Sequence, residues 1–220
     1  MQNFFLIIDT ETSGLPKNWS APYYKEKNWP HIIQIAWILF DSENNEVKRE
    51  NYYIRCTDFK IDKSSQKIHH ITEAFLMANG TSKEVALNSL NHDLLTYKPL
   101  VIGHFIEFDY HMINVEFERI GMQSPLKNSP MYCTMKASAP FVRTPGVELL
   151  KLNQFYEELF NQPPETFHNA LADAINTAKI FFYLLETGAI SEETIYQQNN
   201  QFDISQNAPT KNFLSRLFSF

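Results

Sequence analysis

The stretch Ile8-Asp-Thr-Glu-Thr-Ser-Gly-Leu15 continues the short apolar run Phe4–Ile8. Such a run is typical of a strand that is buried on both faces of a sheet. Asp9 and Glu11 stand two residues apart at the end of this strand, so both side chains project from the same face. Two neighbouring carboxylates repel each other unless a cation lies between them, and Mg²⁺ prefers oxygen ligands of this kind. The pair is therefore a candidate metal site, with an exposed acidic pair at a strand end as the alternative.

The elements after this strand alternate between strand and helix patterns. Short apolar or alternating runs predict four further strands, at Ile32–Phe40, Val47–Ile54, Leu100–Gly103 and Met131–Met135. Thr81 and Glu84 form a capping box that opens a helix to Tyr97. Further helical patterns cover Asp109–Ile120, Val147–Phe160 and Ala170–Thr187. A strand meander followed by alternating helices and strands predicts an α/β domain with a mixed sheet.

The composition fits one globular domain with a small appendage. The chain has 220 residues, of which 44% are hydrophobic and 14% aromatic, and this excludes a disordered chain. Its formal net charge of -6 argues against a broad basic surface that grips duplex nucleic acid. The charge is compatible with an enzyme that holds a few phosphates through bound divalent cations, which would supply the positive charge.

The cysteines and the N-terminus bear on where the protein works. Cys56 and Cys133 form neither a metal-binding spacing nor a disulfide framework, which fits a reducing cytoplasm. The first residues carry no positively charged leader, and their apolar run ends at Asp9, so we expect a first strand and not a signal peptide. No apolar stretch is long enough to cross a bilayer, and we expect no membrane partner.

Two more acidic residues lie where an α/β enzyme could use them. Asp109 follows a buried strand, and ligands bind at the carboxyl ends of strands in open α/β sheets. His168 lies just before a helix and Asp173 lies within its first turns. Histidine is the side chain best suited to take a proton near neutral pH. Taken singly, Asp109 is better explained as a helix cap, and the other two as a surface histidine and a dipole-favoured acid.

The order of these residues resembles that of the DnaQ-like (DEDD) exonucleases, in the histidine branch often written DEDDh. This family includes the proofreading exonuclease subunit of bacterial DNA polymerase III and RNase T. The resemblance covers Phe4 to Gly188, and His168 selects the histidine branch. The matching segments are Ile8-Asp-Thr-Glu-Thr-Ser-Gly-Leu15, Gln34-Ile-Ala36, Ile68-His-His-Ile-Thr72, Gly103-His-Phe-Ile-Glu-Phe-Asp109 and His168-Asn-Ala-Leu-Ala-Asp-Ala174.

The resemblance implies an RNase H-like fold, in which a mixed five-stranded sheet is flanked by helices. The implied catalytic residues are the general base His168 and the ligands of two Mg²⁺ or Mn²⁺ ions, Asp9, Glu11, Asp109 and Asp173. The implied substrate-binding residues are Thr10, Gly14, Leu15, Ile68, His69, His104 and Phe108. Among these, Leu15 would pack against the terminal base, and Ile68, His69 and Phe108 would line the nucleotide pocket. Ordinary core or loop packing is the alternative for these four.

The implied activity is metal-dependent 3′→5′ hydrolysis that releases nucleoside 5′-monophosphates from a free 3′ end, with single-stranded DNA as the expected substrate. A catalytically silent nucleic-acid-binding or scaffold module is the alternative, although all five catalytic positions hold competent residues. An RNA-trimming exoribonuclease is a second alternative.

One residue departs from the shared motifs near the site, and an aromatic-rich loop has two possible roles. Many relatives have Asn where this chain has Phe105, and we expect this change to alter substrate preference without removing activity. The loop from Gly14 to Pro30 contains Trp19 and Trp29. This loop either stacks bases or covers the edge of the sheet, and the structural role is favoured.

The composition changes near Ser191. We therefore predict an exonuclease domain at residues 1–190, followed at 191–220 by a C-terminal helix or linker and an amphipathic tail, with Gln- and Asn-rich flexible linker at 197–207. The tail is a candidate docking peptide for a DNA polymerase or a sliding clamp. The favoured alternative is that it folds back on the domain as a last helix.

Overall fold

A mixed five-stranded sheet forms the centre of the molecule. The computed structural model describes residues 3–166 and 168–200. In sheet order the strands are β3 (Glu46–Tyr53), β2 (Ile32–Asp41), β1 (Phe4–Thr12), β4 (Leu100–Gly103) and β5 (Met131–Cys133). β1, β2 and β3 form an antiparallel meander, whereas β4 and β5 run parallel to β1. The predicted α/β class with a mixed five-stranded sheet is confirmed.

Eight α-helices flank the sheet in the described part of the chain. They are α1 (Lys63–His69), α2 (Glu73–Asn79), α3 (Lys83–Tyr97), α4 (Ile106–Arg119), α5 (Thr134–Ala137), α6 (Leu152–Phe160), α7 (Ala170–Glu186) and α8 (Glu192–Asn200). None of these helices is long and apolar enough to cross a membrane. The sequence did not predict α1 and α2, which are only seven residues each.

The alternation of side chains along β1 divides the core into two layers. Leu6 and Ile8 pack with α3 and α4 on one face, and Ile7 packs with α6 and α7 on the other. Full burial of one such side chain stabilises the fold by roughly 1.5–3 kcal/mol. Because successive strand residues point to opposite faces, Asp9 is directed toward the α7 layer and Thr10 toward the α4 layer.

Helix α3 begins one residue later than predicted. Its cap is Ser82, whose hydroxyl accepts a hydrogen bond from the Val85 N–H at 3.4 Å. Thr81, the predicted cap, forms an isolated bridge with Ile54, and its N–H donates to the Tyr53 carbonyl at 2.8 Å. The capping box at Thr81 is therefore wrong, because this residue continues the pairing of the sheet edge.

Two other predicted elements are longer than the observed ones. β5 ends at Cys133, two residues earlier than expected, because α5 follows it directly. α6 begins at Leu152 and not at Val147. Just before α6, the Leu150 N–H donates to Ser138 Oγ at 2.8 Å, and the Leu150 carbonyl accepts from His104 Nε2 at 3.0 Å. These tertiary hydrogen bonds occupy backbone groups that an earlier helix start would need.

Helix α8 covers the outer edge of β5, where a linker was expected. Gln198 Oε1 accepts from the Cys133 N–H at 2.6 Å, and Asn199 Oδ1 accepts from the Met131 N–H at 2.8 Å. The two amides thus satisfy backbone groups that an edge strand leaves unpaired. The linker prediction is wrong for residues 197–200. Residues 201–220, with the predicted tail, lie outside the described residues, and the domain division stays a prediction.

Candidate active site

A cavity opens where β1 extends beyond its pairing with β4. β4 pairs with β1 only from Phe5 to Ile7, whereas β2 pairs with β1 as far as Thr12. The end of β1 therefore has one open edge, and a cavity of about 490 Å³ lies beside it. All twelve residues that the sequence selected as catalytic or substrate-binding line this cavity.

Three of the four carboxylates converge on one point. Asp9 and Glu11 come from β1 and Asp173 from the first turn of α7, and one oxygen of each lies within 4.8 Å of the other two. Asp109 reaches the cavity from α4, in the opposite layer. The Thr10 hydroxyl donates to Asp109 Oδ1 at 2.7 Å, so Thr10 orients a carboxylate.

The helix that carries Asp109 begins earlier than the sequence suggested. α4 starts at Ile106, after the cap residue Phe105, and Asp109 lies within its first turn. The explanation of Asp109 as a helix cap is therefore wrong. An acidic side chain in the first turn is favoured by the helix dipole.

Burial sets the electrostatic character of the four carboxylates. It raises the pKa of Glu11 to about 8 and the pKa of Asp109 and of Asp173 to about 7. Burial also raises the pKa of Asp9 well above its usual range, and the charges of Asp109, Asp173 and Glu11 raise it further. Hydrogen bonds from Thr10 and from the His168 N–H oppose the shifts at Asp109 and Asp173.

The carboxylates fit a divalent cation. Within the described residues, no Lys or Arg forms an ion pair with any of the four. Asp173 Oδ1 is buried and has no hydrogen-bond partner among the residues that the structure describes. Buried carboxylates need a compensating charge, and an all-oxygen donor set is the kind that Mg²⁺ and Mn²⁺ bind.

The segment before α7 holds His168 at the cavity. His168 adopts a positive φ of 61°, and its N–H donates to Asp173 Oδ2 at 3.1 Å. Asn169 caps α7, because its side chain accepts from the Leu171 N–H at 3.2 Å. The His168 side chain is exposed at the cavity, and partial desolvation lowers its pKa, as do His70 and Lys151. Its imidazole is therefore neutral near pH 7 and able to accept a proton.

Gln34 fixes the start of α7, a role that the sequence did not reveal. This side chain is completely buried in β2. Its Oε1 accepts from the Ala170 N–H at 3.2 Å, and its Nε2 donates to Asn51 Oδ1 at 2.9 Å. Asn169 Nδ2 donates to the Tyr53 hydroxyl at 3.2 Å. A polar residue in an otherwise apolar strand was the available signal for Gln34.

His104 lines the cavity, but its ring nitrogens bind the protein. Nε2 donates to the Leu150 carbonyl at 3.0 Å, so Nδ1 is the acceptor for the Thr134 hydroxyl at 2.9 Å. Burial lowers the pKa of His104 to about 4. The neutral ring thus joins the end of β4 to the segments that begin α5 and α6.

The remaining predicted residues form the less polar wall of the cavity. Leu15 is 44% exposed, Phe108 is half-buried, and Ile68 lies beside them on α1. His69 is buried, and its Nδ1 accepts from the Ile71 N–H at 3.0 Å. At position 14 a Cβ would lie 2.4 Å from an Asp62 carboxylate oxygen, so a larger side chain there would require the Asp62 side chain to move.

Several lining residues were not expected from the sequence. Asp62, Ser64 and Ser65 come from the start of α1, and Lys151 and Asn153 come from the start of α6. Lys151 is the only Lys or Arg among the described residues that line the cavity. Sequence spacing offered no signal for these positions, because α1 was not predicted and α6 was predicted to start earlier.

Comparison with known proteins identifies the family of the chain. The family model RNase_T, described as exonuclease, matches residues 6–181. The chain belongs to this exonuclease family. RNase_T exonucleases depend on divalent metals, which agrees with the carboxylate cluster. The chain is a DnaQ-like 3′→5′ exonuclease, as its sequence motifs suggested.

The related sequences are replication proteins by name. The DNA polymerase III subunit epsilon of Buchnera aphidicola subsp. Baizongia pistaciae (strain Bp) is 30% identical over 210 residues, which cover 92% of this chain and 79% of that protein. The DNA polymerase III subunit epsilon of Aquifex aeolicus (strain VF5) is 31% identical over 182 residues, or 83% of this chain and 80% of that protein.

Solved exonuclease structures share the RNase H-like fold. Escherichia coli exonuclease I in complex with a dT13 oligonucleotide superposes with a TM-score of 0.67 at 18% identity, over 83% of this chain and 41% of that chain. Cell-death related nuclease 4 (CRN-4) gives a TM-score of 0.65 at 16% identity, over 84% of this chain and 64% of that chain. The chain therefore spans about two fifths of exonuclease I. These likenesses confirm the RNase H-like fold.

Proposed function

We propose that this 3′→5′ exonuclease removes nucleoside 5′-monophosphates one at a time from unpaired 3′ ends of DNA, with two Mg²⁺ or Mn²⁺ ions. The observation that carries the proposal is the convergence of three carboxylates from β1 and α7, with Asp109 reaching the same cavity from α4, beside a neutral His168. The name of the related sequences, DNA polymerase III subunit epsilon, supports DNA over RNA.

Asp9, Glu11, Asp109 and Asp173 are the residues that would hold the two ions. Bound ions of this class stabilise charge on a phosphoryl group and lower the pKa of water. The protein contributes the fixed oxygen donors, and Thr10 and the His168 N–H each hold one of these carboxylates in place. Outer hydrogen bonds of this kind orient metal ligands.

His168 is the proposed general base. A ring nitrogen of the neutral imidazole takes a proton from the attacking water, and the P–O3′ bond breaks as the new P–O bond forms. The leaving group is the 3′ oxygen of the shortened strand, and the product carries a 5′-phosphate. Three features fix the direction from which the His168 ring approaches the water. They are the left-handed backbone at His168, the Asn169 cap of α7 and the Gln34 side chain. Positioned general bases contribute roughly 10²–10⁴-fold in rate.

The proposal includes a polymerase as a partner. The relatives are named as subunits of DNA polymerase III, so we propose that this chain also works with a DNA polymerase in the cytoplasm, and that residues 201–220 bind the polymerase or a sliding clamp. Co-purification of the polymerase with the full chain, compared with a chain ending at residue 200, tests this part by itself.

The experiment that tests the catalytic proposal measures mononucleotide release from end-labelled oligonucleotides. With Mg²⁺ we expect single-stranded DNA and mismatched 3′ ends to be degraded faster than matched duplex or RNA, and EDTA to stop the reaction. Asp9→Ala should abolish release, whereas Glu43→Ala, an exposed acid in the β2–β3 turn, serves as the matched control. Full activity of Asp9→Ala with Mg²⁺ would refute the metal assignment, and faster RNA degradation would favour exoribonuclease activity.

A further inference from the structure

Phe105 holds a backbone conformation that a phenylalanine seldom adopts. It lies between β4 and α4 with φ 69° and ψ 47°, in the left-handed region. Glycine and asparagine tolerate this region, whereas larger side chains with a Cβ are strained there. Many members of the exonuclease family have Asn at this position, and the left-handed backbone accounts for the Asn. The backbone does not account for the Phe in this chain. Strain of this kind at a cavity is a reason to look for function.

Among the described residues, the Phe105 side chain packs against the rings of Phe108 and Trp19. Its ring lies parallel to that of Phe108, with 6.5 Å between centroids and 14° between planes. Trp19 touches both, with its centroid 6.0 Å from Phe105 and 5.9 Å from Phe108. Phe105 and Phe108 both line the cavity, but only 8% of Phe105 is exposed, whereas Phe108 is half-buried. Phe105 therefore supports Phe108 from the side, and Trp19, which is not a lining residue, packs behind both rings.

The loop that carries Trp19 is attached firmly to α4. The Trp19 ring meets His111 edge-on at 5.8 Å, and Trp29 stacks on the same histidine at 5.5 Å. The Tyr23 hydroxyl and His111 Nδ1 are 2.9 Å apart. Arg119 donates to the carbonyl of Trp29 at 2.8 Å. The loop thus packs on α4, and Trp19 has a fixed position from which to support the wall of the cavity.

We propose that Trp19 and Phe105 are positioning residues that hold the Phe108 ring rigid, so that it stacks on the base of an unpaired 3′-terminal nucleotide. The inference rests on the proposed function and concerns the same cavity. A terminal base leaves its stack when it enters the enzyme, and an aromatic ring replaces the lost stacking in a sequence-tolerant way. A ring that is already ordered loses less entropy on binding than a mobile one.

Phe105→Asn tests the positioning role with little strain on the fold, because Asn readily adopts the left-handed region. We expect its thermal midpoint to fall only modestly, because relief of the backbone strain offsets part of the packing lost with the buried Phe105 ring. Stacking of a base on an aromatic side chain raises the affinity for a single strand by roughly 5- to 150-fold. Because only the support is lost, we expect KM for single-stranded oligo-dT to rise by about 3- to 10-fold with kcat unchanged. Trp19→Leu should give the same change in KM.

A double-mutant cycle with Phe108→Ala gives a readout that a purely structural role would not move. If Phe105 acts through Phe108, adding Phe105→Asn to Phe108→Ala should cause no further rise in KM, because coupled residues are not additive. The same cycle is measured without turnover, as the Kd of a fluorescent oligo-dT with Mg²⁺ in a His168→Ala background.

The outcomes distinguish this inference from the proposed function. A wild-type chain that releases no mononucleotide from DNA would overturn the proposed function. An active wild type with unchanged KM and Kd in Phe105→Asn would overturn only the positioning role. Additive effects of Phe105→Asn and Phe108→Ala would also overturn it. If Phe105→Asn raises KM equally for single-stranded and matched duplex ends, the link to unpaired ends is overturned.

Discussion

Replacing Glu11 with glutamine should stabilise the metal-free protein while it destroys activity. Burial raises the pKa of Glu11 from 4.5 to about 8, and Asp173 and Asp109 add to the shift. A carboxylate whose folded pKa is raised stabilises the fold fully below its unfolded pKa, and this contribution is lost as the pH rises through the folded pKa. The wild type in EDTA should therefore lose stability between about pH 4.5 and pH 8, whereas the neutral glutamine does not titrate.

The size of the effect follows from the shift. The folded and unfolded pKa of Glu11 differ by roughly 3.5, and each pKa unit corresponds to about 1.4 kcal/mol. After allowing for partial protonation, ionised Glu11 lowers the free energy of unfolding at pH 8 by at most about 4 kcal/mol. Rearrangement around the charge and binding of buffer cations reduce this value, so we expect about 2–4 kcal/mol. For a chain of this size the gain corresponds to a rise in Tm of roughly 5–15 °C.

Differential scanning calorimetry in EDTA at pH 8 and pH 4.5, and again with Mg²⁺ at pH 8, tests the prediction. The gain of Glu11→Gln should be large at pH 8 and small at pH 4.5. Mg²⁺ should raise the Tm of the wild type more than that of the variant, because a ligand stabilises the state that binds it. The control Glu43→Gln, in an exposed turn, should show none of these effects. An unchanged Tm at pH 8, or an equal gain at both pH values, would refute the reasoning.

Three further predictions concern the protein scaffold and the base. Gln34→Leu leaves the buried Ala170 N–H unpaired, so urea unfolding should show a loss of about 1–3 kcal/mol and kcat should fall by roughly 100-fold as α7 moves; Asn51→Ala, which keeps the bond to α7, should be much milder, and equal losses would contradict the role. Gln198→Ala exposes the edge of β5 and should cost about 1–2 kcal/mol with kcat unchanged, unlike the neutral control Asn200→Ala. His168→Ala should lower kcat by roughly 10²–10⁴-fold with little change in KM, and unchanged turnover across pH would remove the general-base assignment.

The outline of the site could be predicted because it depends on local rules. Strand alternation places Asp9 and Glu11 on one face, and the structure keeps them there. A polar residue before an apolar helical pattern predicts the start of α7, which places Asp173 in the first turn and His168 just outside it. Each of these inferences needs only the period of one strand or one helix.

The missing parts of the site depend on residues far apart in the chain. In the sequence, Gln34 is only one polar residue in a strand. The structure shows its role, because its Oε1 accepts from the Ala170 N–H, 136 positions later. The sequence suggests that His104 contacts the substrate. In the structure, both its ring nitrogens form hydrogen bonds within the protein, to Leu150 and Thr134. Residues 197–200, at the end of α8, were expected to belong to a linker because Gln and Asn dominate there, and the edge of β5 provides their bonding partners.

The sequence by itself determined the fold class, the order of the strands along the chain and the chemical identity of the site, because these follow from side-chain periodicity and from the types of residue in the motifs. Only the tertiary structure decided which groups each side chain faces. It brought Asp109 across from the opposite layer of the sheet and set Trp19 behind Phe105 and Phe108. The physical reason is that hydrogen bonds, desolvation and ring packing act between neighbours in space, and their sequence separation carries no local pattern.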